Sequence, residues 1–277
     1  MYKIVEKRVL NSQVTLMKVE APFIANKVDA GQFIIYRVDD KGERIPLTVA
    51  DRDKEKGTIT IIFQSAGGST AKLAALNEGD SILDVVGPLG IATEYEKDIK
   101  RVAVVGGGVG CAIAYPQAKK LYNMGVYVDL IAGFRNKDIV IIEDEMKNAS
   151  NELHICTDDG SYGYHGFVTN KLQELIDGGA KYDEVIAIGP VPMMKFVCKV
   201  TEPYGIKTLV SLNPIMIDGT GMCGCCRVRV DGKIRYACVE GPDFDGHKVD
   251  FDELMRRNST YRDHEQAHRC NITGEVR

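Results

Sequence analysis

A strand that runs into a glycine turn and then into a helix most constrains the fold of this chain. Residues 100–110, KRVAVVGGGVG, form an apolar run that ends in glycines, and the following CAIAYPQAKKLYNMG is typical of a helix. A second apolar run, VYVDLIAGF, completes a β-α-β unit. The alternation continues to about residue 210, which predicts a doubly wound parallel sheet over residues 99–210.

The residues on either side follow different patterns. Residues 1–98 contain short runs rich in Ile, Val, Thr and aromatic residues, such as GTITIIFQS, separated by Gly-rich or charged turns. Short strands at this spacing predict a small closed β-barrel. Residues 211–277 are Gly- and Cys-rich and then polar, which predicts a small unit held together by a metal. The predicted fold class is therefore α/β plus all-β, in three units.

Composition and charge exclude several classes of protein. The 277 residues are 44% hydrophobic and 27% charged, as in soluble globular proteins, and a net charge of -4 argues against nucleic acid as the main partner. The N-terminal segment MYKIVEKRVL has no apolar signal-peptide core, and the longest apolar run, residues 102–115, is too short to span a membrane. We expect a cytoplasmic protein whose eight cysteines are thiols or metal ligands.

The glycine turn is a candidate phosphate site. Glycines 106, 107, 108 and 110 lie between a strand and a helix, where no Cβ blocks an anion and free N–H groups point towards it. The turn departs from the dinucleotide fingerprint G-x-G-x-x-G, because its last position is Cys111. A tight structural turn in an α/β domain is the alternative interpretation.

Two segments of the predicted barrel carry further candidates. R-I-P-L-T, residues 44–48, places an arginine and a hydroxyl on one strand, where they can hold a phosphate and a planar ring. Q-S-A-G-G-S-T, residues 64–70, ends at an apparent helix start and forms a second possible anion site. A solvated edge strand and an ordinary helix cap are the respective structural alternatives.

Four of the eight cysteines fall in DGTGMCGCCRVRVDGKIRYAC, residues 218–238. A plant-type [2Fe–2S] loop reads C-x4-C-x2-C followed by a distant cysteine, so its first cysteine would stand at residue 218, which is Asp. Either Asp218 supplies an oxygen ligand, or Cys225 is recruited, or there is no iron–sulfur cluster. Structural zinc bound by three cysteines and the aspartate is the alternative metal.

Taken together, these motifs resemble the ferredoxin–NADP reductase superfamily in order and spacing over residues 1 to about 200. The resemblance implies a barrel that binds FAD and an α/β domain that binds NAD(H) or NADP(H). It implies cofactor contacts in the barrel at Arg44, Pro46, Leu47, Thr48, Phe63, Gln64, Gly68, Ser69 and Thr70. In the α/β domain it implies contacts at Gly106, Gly107, Gly108, Gly110, Arg135, Asp158, Gly189, Pro190 and Met193.

The cysteine loop narrows the resemblance. A reductase of this kind with a C-terminal [2Fe–2S] module is similar to the electron-transfer subunits of dihydroorotate dehydrogenase, which place Cys where this chain has Asp218. D-G-T-G-M-C-G-C-C resembles more closely the small subunits of NADH-dependent reduced ferredoxin:NADP oxidoreductases, also known as sulfide dehydrogenase subunits. The resemblance implies a cluster held by Asp218, Cys223, Cys226 and Cys238.

The same resemblance implies a mechanism and a partner. Hydride is exchanged between a nicotinamide cofactor and flavin, and single electrons pass through the [2Fe–2S] cluster. A larger subunit with another flavin and [4Fe–4S] clusters completes a heterodimer that couples NADH, NADPH and ferredoxin by electron bifurcation.

Alternatives remain open in two classes. Among enzymes, the chain could be the electron-transfer subunit of a dihydroorotate dehydrogenase or a stand-alone reductase. Among non-enzymes, it could be a zinc-stapled nucleotide-binding regulator. In the polar tail, His264, His268 and Cys270 form either a metal site or an exposed helix.

Overall fold

A nearly closed antiparallel barrel forms the N-terminal part of the chain. The computed structural model describes residues 1–261 and 263–265, so His268 and Cys270 lie outside the described residues, whereas His264 is exposed. The barrel strands are β1 (Tyr2–Val9), β2 (Val14–Glu20), β3 (Phe33–Arg37), β4 (Ile45–Asp53), β5 (Thr58–Gln64), β6 (Ser81–Ile82) and β7 (Asp84–Leu89). They pair in the order β6-β1-β2-β5-β4-β3-β7. The two edge strands, β6 and β7, are consecutive in the sequence, so the two edges of the sheet lie close to each other and the barrel is nearly closed.

Two helices accompany the barrel. Helix α2 (Gly68–Ala75) begins where the G-G-S-T segment predicts a helix start. Helix α1 (Pro22–Lys27) has a proline in its first turn, where the missing N–H costs nothing, but its six residues are too short for a helical pattern to stand out in the sequence. Ile24 and Ala25 of α1 belong to the barrel core.

The second sheet is parallel apart from one edge strand. Its strands are β8 (Arg101–Gly107), β9 (Tyr127–Phe134), β10 (Glu152–Thr157), β11 (Tyr164–His165), β12 (Glu184–Ile188) and β13 (Lys207–Ser211). The connecting helices are α3 (Cys111–Asn123), α4 (Glu143–Lys147), α5 (Val168–Asp177) and α6 (Val191–Thr201). The strand order is β11-β10-β9-β8-β12-β13. The chain adds strands first on one side of β8 and then on the other, so the strand order reverses between β8 and β12. Ligands bind beside such a switch point in open α/β sheets.

Strand β8 is buried on both faces, which explains its unbroken apolar sequence. Ala103 and Val105 pack into a core with α5 and α6, whereas Val102 and Val104 pack into a core with α3 and α4. Helices therefore cover both faces, and the predicted doubly wound sheet is confirmed. Among the described residues, we find no helix with the length and apolarity needed to cross a membrane.

The C-terminal segment is built into the rest of the molecule. It contains the hairpin β14 (Arg227–Val230) and β15 (Lys233–Tyr236), then α7 (Ala237–Glu240), β16 (Asp243–Asp245) and α8 (Phe251–Asn258). Strand β16 pairs antiparallel with β13 and extends the parallel sheet. Cys226, Cys238 and Phe251 share one core with β8 and with Phe33 of the barrel. The unit boundaries at residues 98 and 210 stay predictions, and the shared core shows why residues 211–250 need no core of their own.

A polar junction joins the three parts. Gln117 on α3 donates through Nε2 to the Thr93 hydroxyl, and both Thr93 Oγ1 and Gln117 Nε2 donate to the carboxylate of Asp243 on β16. Gly31 has φ +87°, and a Cβ there would lie 2.2 Å from Thr93 Oγ1. Burial raises the pKa of Asp243 despite these donors. The junction thus places an acid where its charged form is disfavoured.

Asp243→Asn is expected to gain stability relative to the parent protein as the pH rises. The pKa of Asp243 is higher in the folded protein than in the unfolded chain, where it is 3.8. The carboxyl therefore contributes its full stabilisation below pH 3.8 and loses it as the pH rises through the pKa of the folded state. Each pKa unit between the folded and the unfolded state changes the free energy of unfolding by about 1.4 kcal/mol. Urea unfolding of the holoprotein from about pH 4, just above the unfolded value, to pH 8 measures the trend. Asp245→Asn, on the same strand but paired with Lys248 at 3.1 Å, is the control. A constant difference across this range would contradict the assignment.

Candidate functional site: a shared cavity and a cysteine loop

One cavity of about 1080 Å³ lies between the barrel and the parallel sheet. This volume is slightly above the usual range for small-molecule sites, about 300–1,000 Å³, and leaves room for two ligands that meet. Most of the predicted cofactor contacts line it: Pro46, Leu47, Thr48, Phe63, Gln64, Thr70, Gly107, Gly108, Gly110, Arg135, Asp158, Gly189, Pro190 and Met193. Residues predicted from two separate parts of the sequence therefore meet at a single site.

The barrel side of the cavity combines apolar walls with hydroxyl groups. Pro46 and Thr48 lie on β4, opposite Ile35 and Phe33 of β3. Thr70 Oγ1 accepts hydrogen bonds from the N–H groups of residues 66 and 67, at 3.1 and 3.0 Å, and so orders the turn before α2. Apolar walls suit a planar ring, and the Thr48 hydroxyl together with the ordered turn before α2 suits the polar part of a nucleotide, so the barrel side fits a flavin nucleotide.

The sheet side of the cavity is a glycine cradle where two strand-to-helix turns touch. A Cβ on Gly107 would lie 2.5 Å from Met193 Sδ, and one on Gly110 would lie 2.5 Å from the carbonyl oxygen of Ile188. Gly108 differs, since it has φ +57° and its Cβ position meets no atom within 4 Å. The cradle thus allows close backbone approach by a phosphate at Gly108, as a nicotinamide nucleotide needs.

Arg135 and Asp158 follow adjacent parallel strands at the carboxyl edge of the sheet. Asp158 N–H donates to the carbonyl of Phe134 at 3.0 Å, which joins the ends of β9 and β10. Both side chains line the cavity together with Phe167 at the start of α5. A guanidinium, a carboxylate and an aromatic ring at one place can bind the phosphate, ribose and base of a nucleotide.

Four predicted contacts lie outside the cavity lining: Arg44, Gly68, Ser69 and Gly106. Arg44 instead donates to backbone carbonyls of the cysteine loop, and the Ser69 hydroxyl donates to Glu43. A Cβ on Gly106 would lie 2.9 Å from Cys111 Sγ, so this glycine serves the packing of β8 against α3. Ligand contact by these four residues stays a prediction.

The cavity also has walls that the sequence does not predict. The last residue of β13, the segment after it and one residue before β16 line the cavity: Ser211, then Leu212, Asn213, Pro214 and Met216, and Pro242. Their position at the carboxyl end of a strand next to the switch point was a usable signal. The segment that leads into the cysteine loop therefore lines the same cavity as the barrel strands and the glycine cradle.

The cysteine loop brings its donors together in two pairs. Cys226 Sγ and Cys238 Sγ lie 3.2 Å apart. Asp218 accepts hydrogen bonds from the N–H groups of Thr220 at 3.0 Å and Cys223 at 2.8 Å. In the described part of the chain, no group of three His, Cys, Asp or Glu side chains stands ready around a metal. Three thiols and a carboxylate fit an iron–sulfur cluster in chemistry, and the cluster itself would complete their arrangement.

The thiols differ in how readily they ionise. Hydrogen bonding from the backbone at Cys225, and then at Asp218, lowers the pKa of the Cys223 thiol. Burial, followed by the neighbouring Cys223, raises the pKa of Cys225. Burial also raises the pKa of Cys238 to about 12, which a bound metal would reverse because it deprotonates a coordinating thiol. The structure thus favours the thiolate at Cys223 over the thiolate at Cys225.

A barrel, a doubly wound sheet, a shared cavity and a cysteine loop define the class of ferredoxin–NADP reductase-like proteins with an iron–sulfur module. Residues 213–250 match the family model for the iron–sulfur cluster binding domain of dihydroorotate dehydrogenase B. A Thermotoga maritima homolog of the dihydroorotate dehydrogenase B (NAD(+)) electron transfer subunit is 45% identical over 264 residues, which cover 95% of this chain and 93% of the relative. The chain belongs to this family of electron transfer subunits.

Two further comparisons extend over nearly the whole chain. An uncharacterized protein from the adh 3′ region of Clostridium beijerinckii is 52% identical over 272 residues, covering 96% of this chain and 92% of the relative. A chain from the NADH-dependent reduced ferredoxin-NADP oxidoreductase, solved to study flavin-based electron bifurcation, is 43% identical with a TM-score of 0.93 and covers 99% of this chain and 98% of its own length. The predicted family, fold class and iron–sulfur domain are confirmed.

Proposed function

We propose that this chain is the flavin and [2Fe–2S] subunit of a bifurcating NADH-dependent ferredoxin:NADP oxidoreductase. It exchanges hydride with NAD(H) and single electrons through its cluster. The observation that carries this proposal is the shared cavity: barrel residues, the glycine cradle and the segment before the cysteine loop all line it. The segment that leads into the cysteine loop thus borders the same cavity as the proposed flavin site.

The chain's own residues bind and orient rather than react. On the barrel side Pro46 and Thr48 would hold the flavin, and on the sheet side Gly108 would admit the nucleotide phosphates. A bound flavin would supply the conversion between two-electron and one-electron transfer. Phe33, Ile62 and Met216 give the cavity apolar walls that exclude water from the hydride. No acid–base residue is required for this chemistry.

Asp218, Cys223, Cys226 and Cys238 are the proposed cluster ligands. Cys226 and Cys238 are buried, whereas Cys223 is exposed at the outer side of the loop. This arrangement offers a cluster one face towards the protein and one towards a partner. A carboxylate is a harder ligand than a thiolate and donates less charge to the iron.

The surface around the loop suits a larger partner subunit. Met222 is 88% exposed, and Ile217, Ile234, Tyr236 and Val239 are between 37% and 51% exposed. Apolar side chains gathered in this way mark an interaction surface. We propose that the partner, carrying another flavin and [4Fe–4S] clusters, docks there in a cytoplasmic heterodimer and passes electrons on to ferredoxin.

A second candidate is the electron-transfer subunit of a dihydroorotate dehydrogenase, because that is the name of the matched domain and of the Thermotoga maritima relative. A pull-down of the native chain separates the two. A co-purifying flavoprotein with [4Fe–4S] clusters supports the first, and one that oxidises dihydroorotate supports the second.

The test of the redox function itself is spectroscopic. The purified chain is expected to show flavin and [2Fe–2S] absorption, equimolar iron and acid-labile sulfide, and bleaching of the flavin by NADH. A colourless protein that contains zinc would overturn the proposal and indicate a nucleotide-binding regulator.

A further inference from the structure

We infer that Arg44 couples the flavin site to the cluster loop, so that a flavin and a cluster stabilise each other's binding. This inference rests on the proposed function. Arg44 Nε donates to the carbonyl oxygen of Ile217 at 2.8 Å, and Nη2 donates to that of Asp218 at 3.3 Å. Asp218 is the proposed oxygen ligand, so the arginine holds the backbone of a ligand residue.

The position of Arg44 connects these bonds to the flavin side of the cavity. Arg44 directly precedes β4, and Pro46 and Thr48 on that strand line the cavity. A guanidinium carries five N–H donors, and the two loop carbonyls use two of its three nitrogens. The remaining donors and the full positive charge stay available for a phosphate, the ligand that an arginine binds most strongly. Arg44 itself lies just outside the cavity lining, next to Ile45, which lines it, so the inference places a flavin phosphate at this edge of the cavity, within contact of the side chain that holds the loop.

The loop is seated on the barrel at the same place. Gly219 has φ +77°, and a Cβ there would lie 2.6 Å from Ile35 Cδ1 and 2.7 Å from Leu89 Cδ1. The loop backbone thus touches strands β3 and β7 with no room for a side chain. Any shift of Arg44 away from Ile217 and Asp218 would release the polar half of this contact and leave only the apolar half.

Thermodynamic linkage turns this geometry into a measurable coupling. A flavin phosphate that fixes the guanidinium also fixes the loop carbonyls, and an assembled cluster that fixes the loop also fixes the guanidinium. Because coupling between two sites is reciprocal, each group must strengthen the binding of the other by the same factor.

The experiment measures the lifetime of the cluster under a ferrous chelator, in the protein saturated with FAD and in the protein stripped of FAD. For the parent chain we expect FAD to lengthen the lifetime at least about fivefold, the lower end of typical coupling. Arg44→Ala should lose this FAD effect and bind FAD about tenfold more weakly. Arg44→Lys keeps a charge for the phosphate without the two fixed bonds, so it should bind FAD nearly normally but show reduced coupling. Lys41→Ala, an exposed charge in the turn before Arg44, should keep the full effect.

Several outcomes would overturn the inference. Equal cluster lifetimes with and without FAD in the parent chain would show that the sites are independent. An undiminished FAD effect in Arg44→Ala would assign the coupling to other residues. A parent chain that binds neither FAD nor iron would instead overturn the proposed function. If the alanine variant unfolds, Arg44→Lys still tests the inference, because it retains a long cationic side chain. An undiminished FAD effect on the cluster lifetime in Arg44→Lys would then contradict the coupling.

Discussion

Replacing Asp218 with alanine is expected to leave an iron–sulfur cluster that loses its iron within the time of purification. The substitution removes the proposed oxygen ligand and also the acceptor for the N–H groups of Thr220 and Cys223. Both losses act on the same cluster, since Cys223 is itself a proposed ligand. We expect iron and acid-labile sulfide to fall to a small fraction of the parent value.

Further variants separate the two roles of Asp218. Asp218→Asn keeps an acceptor for the turn but removes the anionic ligand, so a cluster lost from this variant would be lost for want of the carboxylate. Asp218→Cys should retain the cluster with a lower reduction potential, because a thiolate donates more charge to iron than a carboxylate does. Electron paramagnetic resonance and potentiometric titration measure both effects.

Cys225→Ala is the matched control in the same loop. Cys225 lies between two proposed ligands in the sequence, Cys223 and Cys226, so its side chain should point away from the cluster and its removal should leave the cluster nearly unchanged. If Cys225→Ala loses the cluster while Asp218→Ala retains it, Cys225 is the fourth ligand.

The sequence predicts those helices and strands whose apolar residues form a regular pattern along the chain. Strand β8 is apolar on both faces and ends in glycines, so both its type and the turn after it could be read directly. The cavity lining could be predicted for the same reason, since strand ends and glycine turns are local features. Helix α1 and strand β16, with six and three residues, are too short to show a period, and the surrounding packing decides their structure.

Contacts between distant parts of the chain could not be predicted. Arg44 meets the loop carbonyls 173 and 174 residues further on, and the sequence around R-I-P-L-T carries no sign of that contact. Asp243 likewise joins the junction with Thr93 and Gln117 through the pairing of β16 with β13. The cluster ligands could be proposed from the spacing together with the family resemblance, but their final arrangement depends on a metal that orders them.

Gly108→Val is expected to slow the reduction of the flavin by NADH about 100-fold, the loss that misplacement of a reacting group by about 1 Å can cause. Gly108 has φ +57° and faces open space in the cavity, so valine would place a branched side chain where the nucleotide phosphates are proposed to lie. Stopped-flow measurement of flavin bleaching gives the rate, and the [2Fe–2S] spectrum should stay unchanged because the cluster loop is untouched.

The control is Gly125→Val. Gly125 has φ +82° and equally open surroundings but lies in the turn between α3 and β9, outside the cavity lining. Both variants carry the strain of a valine with positive φ, about 1–2 kcal/mol, so any common loss of stability cancels in the comparison. If Gly108→Val binds NADH as tightly as Gly125→Val does, the nucleotide does not pass over this turn, and the phosphate site must be sought at Arg135 instead.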